Sequence, residues 1–233
     1  MTLESIAYTD GDQALTGWLA RPVGAPRGAV AVYPTIMNVN APIERRARLL
    51  AEAGFLALIA DFYGTPVTDF DHSRELANAL RADVDTYRRR IGAGIAALRA
   101  LAGGLTLSAV GYCMGGQAAL EAARAGENLA LVASFHGILS TDRSASAQTP
   151  IAPRIFVSHG DADPLVPRTQ VLSFWEEMDE ASANWHFHSY AGVRHGFTDP
   201  GSDARGVPPI AYDASADRQS WAALIGLLDE IYG

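Results

Sequence analysis

Apolar runs alternate with turn residues along the chain in an order that outlines a fold. Residues 4–20 switch loosely between apolar and polar positions on either side of Asp10-Gly11, which predicts an antiparallel hairpin of Glu4–Tyr8 and Ala14–Ala20. Ala29–Tyr33 is then continuously apolar, as expected of a strand covered on both faces of a parallel sheet. From Pro42, a suitable first-turn residue, to Ala53 the spacing predicts a helix. Ile43, Ala47, Leu50 and Ala51 lie on one face of it, the arginines lie on the other, and Gly54 ends it. Phe55–Ala60 is a second buried strand, and Asp61–Asp71 is a loop.

Two helical stretches follow, over 72–80 and 82–101. In the second, Val84, Tyr87, Ile91, Ile95 and Leu98 form an apolar stripe, and Arg88-Arg89-Arg90 is expected on a solvated face. Further strands are expected at Leu105–Val110, Leu129–Phe135, Arg154–Ser158 and Trp185–Tyr190. Helices are expected at Gln117–Arg124, 168–180 and Ala214–Tyr232. Strands alternating with helices after a hairpin predict an α/β fold with a mainly parallel sheet, forming one domain over residues 1–233.

Gly111-Tyr112-Cys113-Met114-Gly115-Gly116 joins one of these strands to a helix of good helix formers. That is the pattern of a nucleophile elbow, G-x-S-x-G, with cysteine in place of serine. The sharp turn leaves little room for a Cβ two residues either side of the nucleophile. It also places Cys113 at a helix N-terminus, where the dipole favours a thiolate. The plainer alternative is a small buried Cys beside an ordinary Gly-Gly packing contact. By contrast, Gly92-x-Gly94-x-x-Ala97 matches a dinucleotide fingerprint only superficially, because it falls inside a helix.

Groups that act in open α/β sheets sit in loops at the carboxyl ends of strands. Cys113, Asp163 and His195 all occupy such loops, in the order nucleophile, acid, histidine. Asp161 competes with Asp163, which starts the turn and is the better placed. His136, His159, His186 and His188 lie in or at the ends of strands, where a hydrogen-bonded structural role is expected. In the expected chemistry His195, steadied by Asp163, activates Cys113. The backbone N–H groups of Met114 and Ile36 would receive the oxyanion. Phe62, Tyr63, Phe197 and Tyr212 are candidates for either pocket wall or core.

Composition narrows the class. The 233 residues carry a formal net charge of −8, which disfavours nucleic acid, and 48% are hydrophobic, enough for a sizeable core. One cysteine allows no internal disulfide and fits a reducing compartment. The first residues, Met1-Thr-Leu-Glu-Ser5, lack the basic and apolar pattern of a leader, and no apolar run approaches the ~20 residues of a membrane span. A cytoplasmic protein, monomeric or a small homo-oligomer, is expected. No histidine or cysteine spacing suggests a metal site.

With Gly160-Asp-Ala-Asp163, Arg194-His195-Gly-Phe197, Glu52–Leu58 and Asp61-Phe-Tyr-Gly64 added to the elbow, the chain resembles the dienelactone hydrolase family over nearly its full length. The resemblance implies an α/β-hydrolase core with a Cys-His-Asp triad that acts on small esters or lactones without a cofactor. Two departures stand out. Family enzymes carry a glutamate after the first core strand in a pattern like E-x-x-G-x-N; this chain reads Thr35-Ile-Met-Asn38-Val-Asn40. They also use two arginines for a substrate carboxylate, one shortly after the histidine, where this chain has Asp199. Arg74 is the candidate for the other, with Thr35 and Phe197 as further candidate substrate contacts. The alternative function is a reactive-thiol sensor or small-molecule binding module on a hydrolase scaffold.

Overall fold

A computed structural model describes residues 2–233; Met1, the start of the N-terminal stretch considered above, lies outside them. The hairpin forms between β1 (Glu4–Asp10) and β2 (Gln13–Ala20), turning through Gly11 at φ 57°. The core strands are β3 (Gly28–Tyr33), β4 (Phe55–Ile59), β5 (Leu107–Tyr112), β6 (Leu131–Phe135), β7 (Arg154–Gly160) and β8 (Trp185–Tyr190). They form one eight-stranded sheet in the order β1-β2-β4-β3-β5-β6-β7-β8. Pairing from β4 to β8 is parallel throughout, and β2 joins β4 antiparallel, with Trp18 opposite Ile59.

Every residue of β3, β4, β5 and β6 is buried, which accounts for their continuous apolar sequence. Alternate residues feed two cores. Ala29, Ala31 and Tyr33 face the layer made by α2 (Phe70–Arg81), α3 (Val84–Ala102), α4 (Met114–Arg124) and α5 (Arg168–Glu180). Val30 and Val32 face α1 (Ala41–Glu52) and α6 (Ala214–Tyr232). The sheet is thus sandwiched between helices, and the strand ends that carry function open on one edge. Among the described residues no helix is long and apolar enough to cross a membrane.

Side-chain caps set several boundaries. Asn40 accepts from the Ile43 N–H at the start of α1, Asp69 from His72 N–H at α2, and Asp83 from Thr86 N–H at α3. These caps start α2 at Phe70 and α3 at Val84, close to the expected spans. The elbow differs more. β5 runs on to Tyr112, and α4 begins at Met114 rather than Gln117. Gly115 and Gly116, poor helix formers in isolation, lie in the first turn of α4, where their surroundings leave no room for a side chain.

Two groups of arginines depart from the expected solvated faces. Arg90 and Arg89 both donate from Nε to the buried carboxylate of Asp10 at 2.9 Å, and Arg88 donates to Glu121 at 2.8 Å. Of the three, only Arg89 is largely exposed. On α1, Arg46 is buried against Asp217 of α6, with its guanidinium over the rings of Tyr112 and Trp221. Helical spacing marks a polar face; it does not reveal that a distant carboxylate covers that face.

Candidate active site

β5 ends in a single strained residue. Cys113 has φ 57° and ψ −120°, a region that a side chain rarely adopts, and its N–H donates to the Phe135 carbonyl at 3.0 Å. The strain turns the chain from strand to helix within one residue and lifts the thiol above the sheet edge. The flanking glycines make the turn possible. A Cβ on Gly111 would lie 1.8 Å from the Gly115 carbonyl oxygen, and one on Gly115 would lie 2.0 Å from that of Tyr33.

The turn after β7 presents Asp163, and the loop after β8 presents His195. Asp163 Oδ2 lies 2.7 Å from His195 Nδ1, and Asp163 Oδ1 accepts from the Leu165 N–H at 2.8 Å. Both residues are almost fully buried. Asp161 instead pairs with Arg168 at the surface, so Asp163 is the aspartate that lies against His195. The backbone of His195 is anchored on both sides: its N–H donates to the Pro209 carbonyl and its own carbonyl accepts from Ala211.

The second ring nitrogen of His195, Nε2, is buried and has no partner at full hydrogen-bond geometry. Beside that nitrogen lies the Cys113 thiol. Burial pushes the Cys113 thiol up. The adjacent His195 ring and the backbone N–H groups of Met114 and Ile36 outweigh that and hold it below its ordinary value. Burial pulls His195 down, yet the Cys113 sulfur and the Asp163 carboxylate raise it above the usual imidazole range. The two shifts favour a thiolate beside an imidazolium. The structure therefore brings together five residues singled out in the sequence: Cys113, Asp163, His195, Met114 and Ile36.

Two cavities meet at the thiol. Both are bordered by Ile36, Phe70, Cys113, Leu165, His195 and Ile210. Phe70 and Leu165 are partly exposed and form an apolar mouth. The first cavity adds the polar groups Thr35, Arg46, His136, Asp199 and Arg205. The second adds mainly apolar wall, including Ala77, Ile138 and Val207, with Arg74 and Arg81 at its polar side.

The candidate substrate contacts separate accordingly. Thr35 lines the first cavity, where its Oγ1 accepts from the Met37 N–H at 3.2 Å. Arg74 lines the second; it is 63% exposed and only loosely paired with Asp71 at 3.9 Å. Phe197 borders neither. It is fully buried, against His136 and Tyr190, because the Gly196 turn directs it inward beneath His195. Phe62 likewise belongs to the core, stacked on Tyr33.

Other residues in and around the site carried no sequence signal of their role. Arg205 reaches the first cavity and pairs with Asp199, so a guanidinium stands where the sequence shows only an acid. Arg46 and His136 enter the same wall. The Tyr63 hydroxyl donates to the Ile36 carbonyl and that of Tyr87 to the Met114 carbonyl, holding the backbone of both residues in place. Asp61 accepts from Asn38 Nδ2 at 2.8 Å and from the backbone of Tyr63 and Gly64, which fastens the Ile36 loop to the end of β4. Asp61, Tyr63 and Gly64 fall within one of the segments that carried the family resemblance. Among the described residues, no three His, Cys, Asp or Glu side chains converge as a metal site.

A protein of Bradyrhizobium, named as a probable 2-oxo-3-(5-oxofuran-2-ylidene)propanoate lactonase, is 31% identical over 234 residues, covering 91% of each chain. An uncharacterised protein of Caenorhabditis elegans is 36% identical over 129 residues, 54% of this chain and 80% of its own. A crystal structure of a dienelactone hydrolase-like promiscuous phosphotriesterase from metagenomic libraries superposes with a TM-score of 0.91 at 32% identity, covering 100% of this chain and 99% of the other. The model of the dienelactone hydrolase family matches residues 15–232, and the chain belongs to that family.

Proposed function

We propose that the protein is a cysteine-dependent hydrolase of small carboxylic esters or lactones, working through an acyl-thioenzyme. The observation that carries this reading is the convergence on one sulfur of the Asp163-held His195 and the N–H groups of Ile36 and Met114. The Cys113 thiolate attacks the carbonyl carbon, and the carbonyl π electrons move onto oxygen, where the two amides receive the negative charge. As the tetrahedral intermediate collapses, the C–O bond breaks and the His195 imidazolium gives its proton to the departing alcohol oxygen. In a lactone that alcohol stays tethered to the acyl group. Neutral His195 then takes a proton from water, the hydroxide attacks the thioester, and the Cys113 thiolate leaves. Asp163 holds the proton on Nδ1 throughout, so each proton transfer takes place at Nε2.

No carboxylate is needed at position 35 in this scheme, since His195 and the two amides suffice to lower the thiol. The Asp199–Arg205 pair leaves the first cavity close to electrically neutral, which supports a neutral ester or lactone as substrate. The full-length likeness to a phosphotriesterase favours a second substrate class, neutral phosphotriesters, whose phosphoryl oxygen would meet the same two amides. A pure thiol sensor is not favoured, because the named relatives are hydrolases. A nucleophilic thiol must stay reduced, which supports a cytoplasmic setting. The few exposed large hydrophobics support a monomer or small homo-oligomer.

The test is turnover of 4-nitrophenyl esters, simple lactones and a neutral aryl phosphotriester by the protein and by Cys113→Ala. Loss of turnover in the variant is expected, and undiminished turnover removes this cysteine from the mechanism.

A further inference from the structure

His136 takes no part in these bond changes, yet it stands against them. It directly follows β6, is buried, and has φ 40°, a conformation imposed on a histidine by its surroundings. Its N–H donates to the Ser158 carbonyl at 2.8 Å, and its Nε2 lies 2.9 Å from Thr198 Oγ1. Thr198 is itself fixed, because its carbonyl accepts from Arg46 Nη2 at 2.8 Å. Arg46 is locked to Asp217, each side chain being only 4% exposed.

The His136 ring meets the His195 ring edge to face, with centroids 5.1 Å apart and planes at 68°. Phe197 and Tyr112 flank it on other sides. One hydrogen bond donated to Asp163 leaves an imidazole free to swing about that bond; a rigid ring packed against it removes the freedom. The charges around the pair agree. Burial first, then the cationic His195, Arg46 and Arg205, hold His136 neutral. The carboxylates nearby are each engaged by a cation: Asp163 by His195, Asp217 by Arg46 and Asp199 by Arg205. His159, also close to Asp163 and His195, is held down by burial. A neutral aromatic ring lies against an imidazolium without repulsion, and such contacts are attractive.

We propose that His136 is a positioning residue that, held by Thr198 and through it by the Arg46–Asp217 pair, fixes the plane of His195 so that the imidazolium stays facing Cys113. This rests on the reading of Cys113 and His195 as the reacting pair. The contact also gives the neutral ring of His136 a role separate from proton transfer: it sets where His195 sits, not what His195 is.

The experiment compares the full-length protein with His136→Ala, His136→Phe and Thr198→Val. Three quantities are measured: the pH dependence of Cys113 alkylation by iodoacetamide, kcat and KM on a 4-nitrophenyl ester, and Tm. For His136→Ala the midpoint of thiolate formation is expected to rise by about one pH unit. Its kcat should fall about tenfold or more, the scale of a misplaced catalytic group, with KM within about twofold. His136→Phe, which restores a neutral ring, should recover most of both, and Thr198→Val should fall between. A folded His136→Ala with the unmodified protein's midpoint and kcat overturns the proposal, as does a lowered Tm with an unmoved midpoint. Should His136→Ala fail to fold, Thr198→Val decides, and an unchanged midpoint there overturns it. An unmodified protein that alkylates with the midpoint of an ordinary thiol, near ~8.5, overturns the underlying ion pair, and the proposal with it.

Discussion

Asp163 Oδ2 and His195 Nδ1 lie 2.7 Å apart, both buried, on loops from two neighbouring parallel strands. That contact occupies Nδ1 and leaves Nε2 without another partner beside the elbow of a third strand. In the proposed mechanism the charge that Asp163 stabilises on the ring is the charge that lowers the Cys113 thiol.

The first prediction concerns pH. The surroundings hold Cys113 below its ordinary value and His195 above it, which favours the ion pair in the pH range between them. As pH falls, Cys113 should keep reacting with iodoacetamide well below ~8.5, where a free thiol loses its thiolate. His195→Gln removes the cation while burial persists, so the alkylation profile should move up past that value. Superimposable profiles for the two proteins would contradict the pairing.

A second prediction tests the elbow's geometry. Gly115→Ala would place a Cβ 2.0 Å from the Tyr33 carbonyl oxygen, with backbone rather than a flexible side chain to displace. The cost should reach about 3 kcal/mol or more, read as a lower urea midpoint or loss of soluble protein. A substitution of Gly226, whose Cβ would meet nothing within 4 Å, is the control and should be far milder.

How much of this was legible in the chain follows from the range of the interactions. The strand-turn-helix of the elbow is local, and its glycines announce it. Asp163 and His195 are legible because strand order brings their loops to one edge. Helical periodicity places Arg46 on the polar face, and it cannot report the burial of that side chain because its partner, Asp217, is 171 positions away. His136 reads as an ordinary strand-end histidine until Thr198, 62 positions on, is seen beside it. Phe197 lay in the right segment, but the Gly196 turn sends it inward. Asp199 stands where family enzymes carry an arginine, and only the fold reveals that Arg205 pairs with it.

That pairing yields a third prediction. Asp199→Asn keeps the shape of the side chain, removes one negative charge from the first cavity and leaves Arg205 unopposed. The ratio of kcat/KM for a carboxylate-bearing ester over its neutral analogue should rise about tenfold, the effect of one partly screened charge. Parallel rates on the two esters would show that neither group faces the substrate.

The most direct measurement of the central claim is the mass of the intact protein, quenched in acid during turnover of an activated ester. The account predicts an added acyl group, mapped by peptide fragmentation to Cys113, that disappears as substrate is exhausted and never forms in Cys113→Ala. Multiple turnovers with no acyl adduct at Cys113, together with full activity of Cys113→Ala, would contradict it.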